Sequence, residues 1–208
     1  QLFSLAWEAV QSRSVQMYYL DQEAQQAAEN ANAAGRMNLP NEGDFLAIVD
    51  ANLGGAKSNL FTEYEVTQIV EGPTNGSISN NLEITYRNSH KADNCNLEAG
   101  KLCLNAPAPT WNRIYLPPSV EVLETQGYLQ EPSIYQEEGF TVVDGFYRLD
   151  PLGMSKIKIR YQQPFGLDHY QVSIWKQGGI KPFSFLLDVN GNQQQHQVSK
   201  DMVLSDTF

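Results

Sequence analysis

The chain has 208 residues, 41% hydrophobic and 11% aromatic, which suits one large domain or a β domain with a helical appendage and excludes a disordered chain. Its formal net charge is −10 with no offsetting basic cluster, which excludes phosphate-backbone binding and docking on an anionic membrane surface. Charged residues make up only 18%, so amides and hydroxyls must supply the polar surface, a composition common in exported bacterial proteins.

Leu2–Arg13 places Phe3, Ala6, Trp7 and Val10 at helical spacing. Over Ser14–Leu20 the period changes to two, which predicts a strand. Asp21 is a good N-cap for an Ala- and Gln-rich helix over Gln22–Ala33, with Gly35 suited to its end. Arg36–Gly43 reads as a linker. Phe45–Val49 is a short apolar strand running into the turn Asp50–Asn59.

Beyond the turn, every periodic segment reads as β. Phe61–Glu71 and Ser77–Arg87 alternate about Gly72–Gly76 and form a hairpin. Asn88–Thr110 is a long irregular excursion holding both cysteines, Cys95 and Cys103. Eight positions apart across a Gly-containing turn, they suit a disulfide clasp; free thiols are the rival reading, and a metal site lacks the further ligands it needs. Further strands are predicted at Trp111–Leu116, Val120–Thr125, Phe140–Leu149, Ser155–Gln162, Tyr170–Lys176 and Pro182–Val189, the last closing through Asn190-Gly191 onto Gln193–Val198. Lys156 to Tyr161 alternates charged and apolar residues strictly, the mark of a strand buried on one side. The expected fold is α+β: a short N-terminal helix–strand–helix unit, residues 1–59, packed on an antiparallel immunoglobulin-like β sandwich, residues 60–208, with a clasped loop at 88–110.

Candidate chemistry concentrates in the Asp50–Asn59 turn. Leu53-Gly54-Gly55-Ala56-Lys57-Ser58 resembles a phosphate loop only loosely, because Ala51 and Ala56 stand where glycine must expose backbone to phosphate. A structural turn is the first reading: Gly54 and Gly55 supply positive φ, and Asp50, Asn52 and Ser58 bond local backbone. The second is ligand contact through Asp50, Asn52, Gly54, Gly55 and Lys57. Asp188-Val189-Asn190-Gly191-Asn192 fails as a calcium loop, since Gln193 and Ser199 occupy its Gly and acidic positions. His90, His169 and His196 are scattered, and adjacent acids such as Glu137-Glu138 are what a solvated strand shows. Asp44, Asp50 and Asp144 would have to converge in a cleft to support hydrolysis. Trp111, Trp175 and Tyr115, Tyr128, Tyr135, Tyr147 and Tyr161 read as cross-strand pairs first and as a sugar-stacking platform second. No catalytic residue, cofactor or metal is expected.

Several stretches together carry a resemblance. They are Trp7–Val10, Val15–Asp21 with Gln25, Asp44–Ser58 with its Asp-Ala-Asn-Leu-Gly-Gly-Ala-Lys run, Leu82–Asn88, Trp111–Pro117, Lys158–Pro164 and Tyr170–Gln177. In these the chain resembles the bacterial family catalogued as domain of unknown function 4012, although Asn32–Asn38 lacks that family's aromatic-plus-glycine pattern. The resemblance implies the C-terminal, extracytoplasmic part of an envelope protein anchored by an upstream transmembrane segment, with membrane contact only through that anchor. It carries over no catalytic residue. The expected role is a non-enzymatic cell-surface module binding cell-wall glycan or another surface protein and no nucleic acid, with a passive spacer or an envelope-polymer hydrolase as alternatives.

Overall fold

The computed structural model describes residues 2–118, 120–164 and 169–208. Two short helices, α1 (Leu2–Gln11) and α2 (Gln22–Asn30), precede twelve strands: β1 (Asp44–Asn52), β2 (Thr62–Thr74), β3 (Ser77–Asn88), β4 (Ala108–Leu116), β5 (Glu121–Gln126), β6 (Ser133–Glu137), β7 (Phe140–Leu149), β8 (Gly153–Pro164), β9 (His169–Lys176), β10 (Phe183–Val189), β11 (Asn192–Val198) and β12 (Met202–Thr207). They form two six-stranded sheets. One runs β12-β9-β1-β4-β7-β6, the other β11-β10-β2-β3-β8-β5. The fold is an α+β sandwich, as expected. Among the described residues, no helix is long and apolar enough to cross a membrane.

Period-two alternation builds the core. Val66 and Val70, Leu82 and Ile84, Ile157 and Ile159, and Phe185 and Leu187 turn inward from the second sheet. They meet Leu46, Ile48, Ile114, Val143 and Val172 of the first. Two hairpins close where expected: Asn75-Gly76 and Asn190-Gly191 both take positive φ at both residues, the turn that matches strand twist. The outer face of the first sheet carries a second, smaller cluster of Phe45, Ala47, Tyr115, Phe140 and Val142, packed against Met37 and Trp175.

Three expectations need correction. The sheets are mixed: β1 pairs in parallel with β9, and β2 with β10, so the sandwich is not antiparallel throughout. The boundary expected at residue 59 cuts across the first sheet, because β1 lies inside it between β4 and β9; Leu46 and Ile48 face the core, and Phe45 and Ala47 are covered on the other face by Tyr115, Phe140, Met37 and Trp175. Finally, Ser14–Leu20 is irregular and largely exposed. Its alternation has no partner strand, and it is tied by Val15 N–H to the Ala9 carbonyl and Met17 N–H to the Ala33 carbonyl.

The caps of α2 follow local chemistry. Asp21 accepts from Ala24 N–H at 2.9 Å, as expected. At the other end Asn32, with φ 55°, takes the left-handed position expected of Gly35, and Ala33 N–H returns to the Ala28 carbonyl. The helical segment is then riveted to the sandwich through Arg13. Its guanidinium stacks 4.2 Å from the Trp175 ring, donates to the Lys176 carbonyl at 3.1 Å and pairs with Asp201. Gly178 makes that approach feasible, since a Cβ there would lie 2.4 Å from the Arg13 carbonyl oxygen.

Candidate functional site

The Asp50–Asn59 turn is held by its own groups. Asn52 Oδ1 accepts from Gly54 N–H at 2.8 Å, while its Nδ2 donates to the Ala56 carbonyl and to Asn59 Oδ1. Ser58 exchanges bonds with Ala106, its Oγ donating to the carbonyl and accepting from the N–H. Gly55 has the expected positive φ of 74°. Gly54 does not: it is required because a Cβ would sit 2.8 Å from the Pro107 carbonyl oxygen. Lys57 is exposed, and Asp50 points away from the turn into the core. The five residues considered for ligand contact therefore do not share one surface.

Asp44 and Asp50 lie on the inward face of β1, six positions apart, at 1% and 6% exposure. Asp44 Oδ1 accepts from Phe45 N–H, and Oδ2 accepts from Gln68 Nε2, Tyr161 and Tyr170 at 2.8, 2.9 and 2.6 Å. Asp50 Oδ1 accepts from Asn112 Nδ2 at 2.8 Å, and Tyr128 donates to Asn112 Oδ1 at 2.9 Å. Gly145 admits the Tyr128 ring, because a Cβ there would come within 2.5 Å of it. Asp50 Oδ2 is buried without a hydrogen-bond partner. Burial pushes both carboxyls up to about 6, against the lowering pull of Tyr170, Tyr161, Phe45 N–H and Gln68 at Asp44 and of Asn112, Tyr64 and Tyr86 at Asp50. Two perturbed carboxylates would suggest catalysis if a cleft opened on them. Here both are sealed between the sheets, and Asp144 stands on the opposite face of the first sheet, so the three acids do not converge.

The outer face of that sheet gathers the most chemistry at the surface. Alternation along β4 puts Trp111, Arg113 and Tyr115 on this side, and register brings Asp144 opposite Arg113 and Phe146 opposite Trp111. Tyr135 and Glu137 follow from β6. The Arg113 guanidinium carbon lies 5.5, 5.2 and 5.7 Å from the ring centres of Trp111, Tyr115 and Tyr135. Arg113 pairs with Glu137, and its Nε is 3.3 Å from Asp144 Oδ2. Trp111 Nε1 donates to Asp144 Oδ1 at 2.6 Å and Tyr135 donates to Oδ2 at 2.9 Å. Burial alone would lower the Arg113 pKa, but its bonds to Glu137 and Tyr135 outweigh that and hold it above its ordinary value. Beside the cluster lies a hollow of about 410 Å³, lined by Arg36, Met37, Leu39, Tyr115, Glu137 and Phe140.

Of the aromatic residues considered for a platform, Trp111, Tyr115, Tyr135 and Trp175 share this face. Tyr147 and Tyr161 are core residues, and Tyr128 reaches inward to Asn112. Sequence reasoning names Asp144 only as an acid for a hydrolytic cleft and does not name Arg113; the period-two alternation of Trp111-Asn112-Arg113-Ile114-Tyr115 is the signal that sets the arginine between the two aromatic residues. Cys95 and Cys103 form a disulfide, with an S–S distance of 2.05 Å. An intramolecular disulfide suits an oxidising, extracytoplasmic environment. The base of its loop is stitched separately, by Asn88 to Asn105 at 2.7 Å and by Asp93 Oδ2 to the N–H groups of Leu104 and Asn105.

No family model matches the chain. No curated protein matches it either. Among solved structures it is similar to a candidate nutrient binding protein of Legionella pneumophila, at 9% identity and a TM-score of 0.39, the match covering 70% of this chain and 56% of that one.

Proposed function

We propose that this chain is a non-enzymatic, extracytoplasmic binding module whose recognition surface is the outer face of the β4–β7–β6 region, and that it takes cell-envelope glycan. The observation that carries the reading is the convergence of half-buried Trp111 and Tyr135 on Arg113, above the buried ring of Tyr115, with Glu137 and Asp144 beside an open hollow. Aromatic rings offer flat apolar area to the C–H faces of a sugar, while planar carboxylate and guanidinium groups fix hydroxyls. Glu137 directs only Oε2 to Arg113, and exposed Phe146 extends the apolar row beyond Trp111. The disulfide supports the compartment. The resemblance to the domain of unknown function 4012 family supports attachment to the cell surface through an upstream anchor.

The test is a titration of the oxidised protein onto isolated bacterial cell walls. Saturable binding that survives salt is expected, and Trp111→Ala or Phe146→Ala should weaken it by about tenfold or more. Absence of saturable binding would replace this reading with that of a passive spacer.

A further inference from the structure

We propose that β11 is the edge through which two copies of this chain pair, strand to strand. The sandwich has four edge strands, β12, β6, β11 and β5. An edge is a row of unpaired backbone donors and acceptors that invites another strand unless it is blunted. Three of the four are blunted. β5 is interrupted by a register shift between Val122 and Glu124 and carries Glu121 and Glu124. β6 is five residues long, follows Pro132 and ends at Glu137-Glu138. β12 carries Asp206 and is preceded by Asp201.

β11 has none of these devices. Its seven residues, Asn192-Gln193-Gln194-Gln195-His196-Gln197-Val198, pair continuously with β10 from Asn192 to Val198. They include no proline, no acid, and no lysine or arginine. β11 carries no acid of its own, and the two acids beside it are engaged within the chain, Asp206 by Asn192 Nδ2 and Asp188 by Gln193 Nε2.

The occupant that fits is a second copy. Antiparallel pairing centred on Gln195 sets Gln195 opposite Gln195, Gln193 opposite Gln197, and Gln194 opposite His196 of the second copy. Every one of these pairs joins groups that can both donate and accept. Beyond the strand end, Lys200 comes opposite Asn190 of the second copy, so no like charges meet there. The contact is two-fold and closed, and it makes the second sheets of both copies one continuous sheet of twelve strands.

Sedimentation velocity over a concentration series tests this. The wild-type protein should show a monomer–dimer equilibrium. Gln195→Lys and Gln195→Glu each set like charges directly opposite and should weaken association by about tenfold or more. An equimolar mixture of the two variants should restore it, because Lys then faces Glu. Melting curves matching wild type would show that both variants fold. Gln195 is exposed, so little change is expected. Val203→Lys on the exposed β12 edge serves as control and should leave the dimer intact. A wild-type protein that stays monomeric up to about millimolar concentration would overturn the proposal, as would a dimer indifferent to both charges at position 195.

Discussion

Replacing Asp50 by Asn should make the protein more stable at neutral pH. The carboxyl is 6% exposed, and burial raises its pKa from 3.8 to about 6 even against the lowering pull of Asn112, Tyr64 and Tyr86. The sign follows from linkage. A folded-state pKa above the unfolded value means the fold prefers the protonated group. Stability from this group is therefore fully present below pH 3.8 and is lost as pH rises through about 6. A shift of roughly two units, at 1.36 kcal/mol each, makes that loss about 3 kcal/mol. Asn is neutral at every pH and keeps an oxygen for Asn112 Nδ2. The stability difference between variant and wild type should thus be small at about pH 3.5 and grow to about 3 kcal/mol in favour of Asp50→Asn by about pH 8. Urea unfolding followed by circular dichroism, at fixed ionic strength across that range, measures it. Asp44, raised to the same value, should leave the variant with a residual slope of the same sign. A difference that stays constant with pH, or a variant less stable than wild type at about pH 8, would refute the argument.

Two further outcomes follow from the loops. Cys95→Ser should cost about 2.5 kcal/mol through loop-closure entropy and speed amide exchange over residues 95–103, while the base held by Asn88, Asp93 and Asn105 stays protected. A melting curve unchanged in non-reducing buffer would contradict this. Gly54→Ala should destabilise by about 1–3 kcal/mol, because the added methyl meets the Pro107 carbonyl. Thermal denaturation at wild-type values would show that the turn opens at no cost.

The parts of the fold that were legible in the sequence are those set by neighbours along the chain. The Asn-Gly turns at 75–76 and 190–191, the Asp21 cap and the alternation of Lys156 to Tyr161 each depend on residues within a few positions. What was not legible depends on partners far away. Ser133–Glu137 has only two apolar residues and becomes β6 because β7 offers it an edge, whereas Val15–Tyr19 has the better pattern and no edge to join. The parallel pairs of β1 with β9 and β2 with β10 leave no local trace. By local sequence Asp50 belongs to the turn, because polar residues follow it. Its place in the strand phase, two positions from Ile48, already set it on the core face. The aromatic residues divide in the same way: Trp111 and Tyr115 go outward by phase from β4, but that Tyr135 joins them depends on the register of β6 on β7.

The placement of β1 and β2 has a consequence for how the chain matures. Each sits at the middle of its sheet, and each waits on one side for a strand made more than a hundred residues later: β1 for β9, and β2 for β10. Until residues 169–189 have emerged, two apolar strands of the first half each present an open flank. Contacts of such sequence separation are slow to form, because loop closure must come before they reward it. Strands β1 to β8 already supply β1-β4-β7-β6 and β2-β3-β8-β5, so the growing chain can close two four-stranded antiparallel sheets, and what any holdase that receives it must cover until β9 and β10 arrive is the open flanks of β1 and β2.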